Sequence, residues 1–466
     1  MAEKLPKVEL EMTLADMYRE VGKEIFFVPT MLSSRFDLTP AVKRCNKYIY
    51  QHEVMNSPAG TGLEGVGGLA YVIKFLSMVP QQFAFAAGGM SVLIFDIETP
   101  TSEIQGSLIE KSRRFAETTM SILEPHQRPK LRFYRGPADV ALNAESQILA
   151  ASWPVDGLEH LPHTLEPEIH HVLHSKEGLA RSGLRTPAFE VIIVTFPADG
   201  ISATWLAAES RQIISKIEAR PIPFALKLQQ TMLGFGTYII RTKSEQQNLT
   251  NNILPNLLAN YLPYLNASNA HLHPANLIIT EVVEDTAADL SLTFFINQAG
   301  HCTFICGTTQ VLAGGVFFSG ATINYRDQGK FEQRCSRTME HIRQFLHNKG
   351  YYGAVNADVL EDANGAQWIV DLNVRMPGSY VLGALKKHFW IQRDLMCASL
   401  LFKSLLRTPR DVFVDFLWDD FMQGRIVVAA WYEDVEERSF ATLVIGAEDE
   451  RGLVSIMERV STLCEE

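Results

Sequence analysis

Short apolar runs alternate with stretches of helical spacing over residues 1–165. Glu24-Ile25-Phe26-Phe27-Val28, Phe83-Ala84-Phe85 and Val92-Leu93-Ile94-Phe95 stand among segments such as Ser107 to Leu123. Such alternation predicts an open α/β layer. A connector rich in Pro and His, Trp153-Pro154 through His160-Leu161-Pro162-His163, leads into a helix predicted over 167–182, closed by Gly183 with Pro187 beyond. A domain boundary is expected here, making residues 1–165 an N-terminal α/β domain.

Beyond it, Phe189 to Thr195 is apolar, Ser202 to Glu218 repeats at helical spacing, and Pro223-Phe224-Ala225-Leu226-Lys227-Leu228 reads as extended. A glycine loop and another strand follow. Next come a helix over 252–265, strands near 277–283, 291–297 and 301–306, and a long helix over 332–348. Helical spacing is also predicted over 395–406, before a last strand over 424–432 and a closing helix over 450–463. Residues 166–395 are expected to form a second domain and 396–466 an extension packed on it.

The most informative stretch runs from Asn356-Ala357-Asp358 through Asn364-Gly365 to Asp371-Leu372-Asn373-Val374-Arg375. Asn-Gly is the strongest short hairpin signal, a two-residue turn with positive φ at both positions. With those residues as the loop, Asp358 falls opposite Asp371 and Asn356 opposite Asn373. These four share one face with Leu360 and Ile369; Val355, Ala357, Val359, Val370, Leu372 and Val374 take the other. Directly opposed carboxylates about 5 Å apart repel by roughly 3 kcal/mol at an effective dielectric near 20. A hard divalent cation offsets that, and Mg²⁺ takes one or two carboxylates with waters and phosphates. The alternatives are a solvated face or a proton shared between the acids, although Leu360 and Ile369 argue against full solvation.

Lys227 sits on an extended segment before Gln229-Gln230-Thr231-Met232-Leu233-Gly234-Phe235-Gly236-Thr237. A glycine loop lets backbone N–H groups approach phosphate oxygens, and a strand-borne lysine adds a point charge for them. The GxxxxGK[ST] string is absent, so this is not a P-loop. The strand Leu277 to Val283 runs into Glu284 and Asp285 and could offer backbone hydrogen bonds and a carboxylate to an adenine.

Composition narrows the field. The chain of 466 residues is 47% hydrophobic and 20% charged, which excludes disorder and fibre. Its formal net charge of −11 argues against nucleic-acid and anionic-membrane partners. No run reaches the roughly 18 apolar residues of a membrane span, and Met1-Ala2-Glu3-Lys4-Leu5-Pro6 lacks the apolar core of a secretory signal. A cytoplasmic location is expected. The six cysteines show no CxxC spacing and are read as reduced core thiols. A zinc site from Cys302 and Cys306 would need two further ligands, and His301 would point to the other face of its strand.

In this order the three elements resemble the ATP-grasp superfamily, over roughly residues 165 to 400, with Asp358 and the Asp371-x-Asn373-x-Arg375 string as the specific part. The resemblance implies an ATP-grasp fold, α/β overall and α+β in the grasp region, with an N-terminal open α/β domain and a C-terminal extension. It implies ATP and Mg²⁺ as cofactors, two ions being expected and Mn²⁺ acceptable in their place. By the same resemblance Lys227 and Lys176 hold the nucleotide phosphates, together with Gly234, Gly236 and Thr237. Glu281 and the backbone near Val283 form the adenine hinge. Asp358, Asp371 and Asn373 ligate metal, and Arg375 binds the carboxylate or its acyl phosphate. Gly378 and Ser379 shape the acceptor site, with Arg326 as a further substrate contact. Asp371 stands where most members carry Glu, and the glycine loop has only two glycines. Loop 234–237 is the expected lid.

The expected activity is an ADP-forming ligase that activates a carboxylic acid as an acyl phosphate and passes it to an amine such as an amino acid. The partners are then small molecules, with room for a homodimer. An ATP-grasp carboxylase or phosphotransferase, and a nucleotide-binding protein without catalysis, are the alternatives. An NAD-dependent oxidoreductase would rest on Gly60-x-Gly62-x-x-Gly65, but the approach to that loop is a poor strand and the ribose-binding acid is missing. His160, His163, His170, His171 and His174 lack the His-Glu-x-x-His spacing and are read as surface histidines beside a linker. No GxSxG elbow supports a serine hydrolase.

Overall fold

Four parallel strands lead the chain: β1 (Glu24–Val28), β2 (Ser91–Phe95), β3 (Lys130–Tyr134) and β4 (Gln147–Ala151), ordered β3-β2-β1-β4. The computed structural model describes residues 5–51, 68–97, 105–313, 317–433 and 438–464. The Gly60-x-Gly62-x-x-Gly65 loop lies outside them. A second sheet is antiparallel, β5 (Phe189–Ile192), β6 (Phe224–Leu228), β7 (Thr237–Ile240) and β8 (Leu277–Thr280), ordered β5-β8-β6-β7.

The third sheet has eight strands: β9 (Thr286–Ile296), β10 (Cys302–Ala313), β11 (Phe317–Asn324), β12 (Gly353–Asp362), β13 (Gln367–Asn373), β14 (Cys397–Leu406), β15 (Ile426–Glu433) and β16 (Ser439–Ala447). Their order is β13-β12-β9-β10-β11-β14-β16-β15. Residues 396–466 therefore continue the sheet that carries the hairpin, joined where Gly320 to Asn324 pair with Leu401 to Cys397. The helix expected over 395–406 is strand β14. Its apolar run satisfies both periods, and pairing along both edges, with β11 and β16, decides the outcome. The helices Leu69–Phe85 and Gln105–Ser121 pack on β15, where Gln81 donates to Trp431 O and accepts from Trp431 N, satisfying an edge backbone pair.

In the hairpin Asp358 pairs with Asp371 and Asn356 with Asn373. The turn, however, is a three-residue loop: Asp362 N–H donates to Ala366 O at 3.0 Å, with Gly365 alone at positive φ, +76°. A bulge between Asp358 and Val359 then skips Val370 and restores the register. Ile369 accordingly packs in the core with Val355, Ala357 and Val359, while Val370 joins Leu360 on the cavity side, the reverse of the expected faces.

The helix expected over 167–182 is two, Pro167–His174 and Lys176–Ala180, broken at Ser175. The Ser175 hydroxyl donates to Val172 O at 2.7 Å and accepts from Gly178 N at 2.8 Å. A Cβ on Gly178 would lie 2.1 Å from Val172 O, so only glycine fits the turn. Lys176 thereby becomes the first residue of a new helix.

Candidate active site

A cavity of about 250 Å³ opens between the small antiparallel sheet and the hairpin end of the large one. Alternation along β6 buries Phe224, Leu226 and Leu228 and turns Lys227 into the cavity. Lys227 Nζ donates to Val370 O at 2.7 Å, across to the bulge of β13. Burial, with the nearby Lys176 charge, pushes its pKa down to about 8, although Asp371 and Asp358 oppose the shift. Lys176 forms an ion pair with Asp371.

The acids differ in environment. For Asp371 burial works upward, but the charge and hydrogen bond of Lys176 and the charge of Lys227 outweigh it and hold the carboxyl below its ordinary range. Asp358 has no cationic partner among the described residues. Burial, then the charges of Asp371 and Asp289, push it up to about 7, against hydrogen bonds from Ser291 and Gln310.

A polar relay ties the acids to Arg375. Its Nη2 donates to Asn373 Oδ1 at 3.0 Å, Asn373 Nδ2 to Asn356 Oδ1 at 3.1 Å, Asn356 Nδ2 to Ser291 Oγ at 2.9 Å, and Ser291 Oγ to Asp358 Oδ1 at 3.0 Å. The Arg375 guanidinium lies 4.6 Å from the Trp153 ring centroid, and burial lowers its pKa to about 10. Among the described residues no carboxylate pairs with it. Two of its five N–H donors are used among these residues, on Asn373 and Met376.

Of the residues expected from sequence, Lys176, Lys227, Gly234, Thr237, Asp358, Asp371, Asn373, Arg375, Gly378 and Ser379 line this one cavity. Gly236 does not; at φ +72° it packs on Thr231 and Leu228, shaping the loop from behind. The expected lid is tied down, with Phe235 buried against Phe317 and Phe318 N–H donating to Leu233 O at 3.1 Å. Glu281 and Val283 are absent from the lining. Glu281 is exposed and its N–H is taken by Ala188 O at 2.9 Å, so that backbone donor is not free for an adenine. Arg326 lies apart from this cavity too: it borders a separate one with Met12 and Trp390, just past the end of β11 at Asn324.

Asp289, Ser291 and Gln310 line the cavity and were not expected. The alternation Asp289-Leu290-Ser291-Leu292-Thr293 puts its polar members on the face of Asp358, a signal that could have found the first two. Nothing local marks Gln310. The histidines depart from expectation as well: His170 and His171 are buried, and His170 Nε2 donates to Val374 O at 2.7 Å, directly behind Arg375. None of the six cysteines is in a disulfide, and four are buried.

Among the described residues no three His, Cys, Asp or Glu side chains gather closely enough to hold a metal. A cation in this cavity would therefore rest on two acids, the Asn373 amide and oxygen atoms from outside the chain, a donor set that suits Mg²⁺ on a phosphate. No helix among the described residues is long and apolar enough to cross a membrane.

No family model matches the chain, and no curated protein matches it. Solved structures do. N5-carboxyaminoimidazole synthetase from Staphylococcus aureus, complexed with ADP, is 10% identical, covering 95% of this chain and 96% of that one at a TM-score of 0.47. N5-carboxyaminoimidazole ribonucleotide synthetase from Thermus thermophilus is 12% identical over 95% and 99%, TM-score 0.45. L-amino acid ligase from Bacillus licheniformis is 9% identical over 95% and 98%, TM-score 0.46. Likenesses this distant decide nothing about chemistry, which stands on the cavity itself.

Proposed function

We propose that the protein is an ADP-forming ligase of ATP-grasp type that activates a carboxylic acid with ATP and joins it to an amine, an amino acid being the expected acceptor. One observation carries the reading: a single cavity brings two lysines from one side against two opposed aspartates on the other, with a half-buried arginine that has no carboxylate of its own among the described residues.

A carboxylate is a poor electrophile at neutral pH. Its oxygen attacks the γ-phosphorus, the bond to the ADP oxygen breaks, and the resulting acyl phosphate has a leaving group. The amine then attacks the acyl carbon, phosphate departs with the C–O bonding pair, and the amine proton is lost. Lys227 and Lys176 supply charge for the phosphate oxygens, and Arg375, stacked on Trp153, offers its free N–H groups to the acid. Asp358, Asp371 and Asn373 would hold Mg²⁺, which would neutralise charge gathering on the phosphates.

The test is ADP release from ATP, screened over carboxylic acids with and without amino acids. Release that needs both an acid and an amine, with the coupled product seen by mass spectrometry, supports the reading. Neither ADP release with any pair nor stabilisation of the protein by ATP would overturn it.

A further inference from the structure

Each aspartate of the hairpin has one oxygen saturated by protein donors and the other left open. At Asp358, Ser291 Oγ donates at 3.0 Å and Gln310 Nε2 at 2.7 Å, both to Oδ1. At Asp371, Lys176 Nζ and the Leu372 N–H, at 2.8 Å, both reach Oδ1. Among the described residues no donor reaches Oδ2 of either acid. A carboxylate oxygen offers about two lone-pair directions, so two donors leave it none for a cation.

We infer that Gln310 and Ser291 set the choice of cation by confining Asp358 to a single coordinating oxygen, as Lys176 and the Leu372 amide confine Asp371. Ca²⁺ gathers six to eight oxygens, often through both oxygens of one carboxylate, whereas Mg²⁺ keeps strict octahedral geometry with single-oxygen carboxylates and retained waters. A pair of aspartates that can each give only one oxygen discriminates against the larger ion. Gln310 reaches Asp358 from β10, two strands away from β12 in the sheet, and Ser291 reaches it from β9, the strand between. The inference rests on the proposed metal and nucleotide site and names positioning residues within it.

The experiment uses the full chain with saturating ADP and follows Mn²⁺ binding by electron paramagnetic resonance, with Mg²⁺ or Ca²⁺ as competitor. Wild type should release Mn²⁺ at a lower concentration of Mg²⁺ than of Ca²⁺. Gln310→Met keeps the stem and removes the donor; it should shift the ratio of the two midpoints toward Ca²⁺ by on the order of tenfold, the scale of outer-sphere effects on metal sites. Ser291→Ala should shift it the same way, and Gln310→Glu, which cannot donate, should not restore the wild-type ratio. A ratio unchanged in both Gln310→Met and Ser291→Ala, with Mn²⁺ binding still lost in Asp358→Asn, would overturn the inference and leave the site standing. No Mn²⁺ binding to wild type with ADP would overturn both.

Discussion

Replacing His171 by Phe should make the protein more resistant to acid, and the burial of the imidazole sets by how much. His171 is fully enclosed, and neither ring nitrogen has a hydrogen-bond partner among the described residues. Burial, reinforced by His170, Lys47 and His271 and opposed by Glu168, pushes its pKa down to about 3 from 6.5. As pH falls through 6.5, the unfolded chain takes up a proton that the folded chain refuses, so this stability is whole above that pH and is lost progressively down to about pH 3. At pH 5 about 1.5 pH units of that window have been crossed, a loss of about 2 kcal/mol. Phe retains a ring against Tyr48, centroids now 5.3 Å apart, and Tyr50, at 6.0 Å. Any packing cost of the new ring is the same at every pH and cancels in the comparison. Urea unfolding of both proteins at pH 8 and pH 5 reads the effect: the advantage of His171→Phe should grow by about 2 kcal/mol at the lower pH. An advantage equal at both values would refute the argument, and His160→Gln, at an exposed position, serves as the control.

Asp371→Asn should reduce ADP release to background while leaving the circular dichroism spectrum unchanged; retained turnover would count against the metal assignment. Lys227→Ala should weaken ATP binding by roughly 10- to 100-fold in a calorimetric titration, the worth of a charged hydrogen bond. Arg375→Lys keeps the charge but loses the fork and the contact with Trp153, so KM for the acid should rise while ATP affinity holds. Gly178→Ala should destabilise the fold by about 2 kcal/mol or more in urea, because its Cβ meets Val172 O at 2.1 Å.

The facing of Asp358 and Asp371 was legible because a strand alternates by two and a tight turn fixes its register. The agreement nonetheless arises through two departures that cancel, a loop one residue longer than expected and a bulge that omits Val370. Sequence shows the first only weakly and the second not at all, since a bulge is settled by what the sheet packs against. The histidines were misread for a related reason. Polar residues beside a Pro-rich connector look solvated, but Tyr48, Tyr50 and Tyr351, far away along the chain, close over them. β14 shows the same limit, for a mostly apolar stretch of ten residues carries no period strong enough to choose between helix and strand before its neighbours exist. Gln310 was invisible because its meaning lies wholly in the strand order that carries it to Asp358.

The charges of the cavity are paired unevenly, and the unevenness has a consequence. Lys176 neutralises Asp371, yet among the described residues Asp358 has only neutral donors, and its pKa is raised. Across the cavity Arg375 is charged, half-buried and unmatched by any acid among the described residues. Both cost stability, since a buried charge without a partner is disfavoured by several kcal/mol. Rearranging Arg375 onto Asp358 would relieve both, but Asn373 and Asn356 stand between them and hold each in place. The fold thus keeps apart two opposite charges that would otherwise quench one another. The proposed ligands would complete it: a cation beside the acid, and an anion beside the arginine.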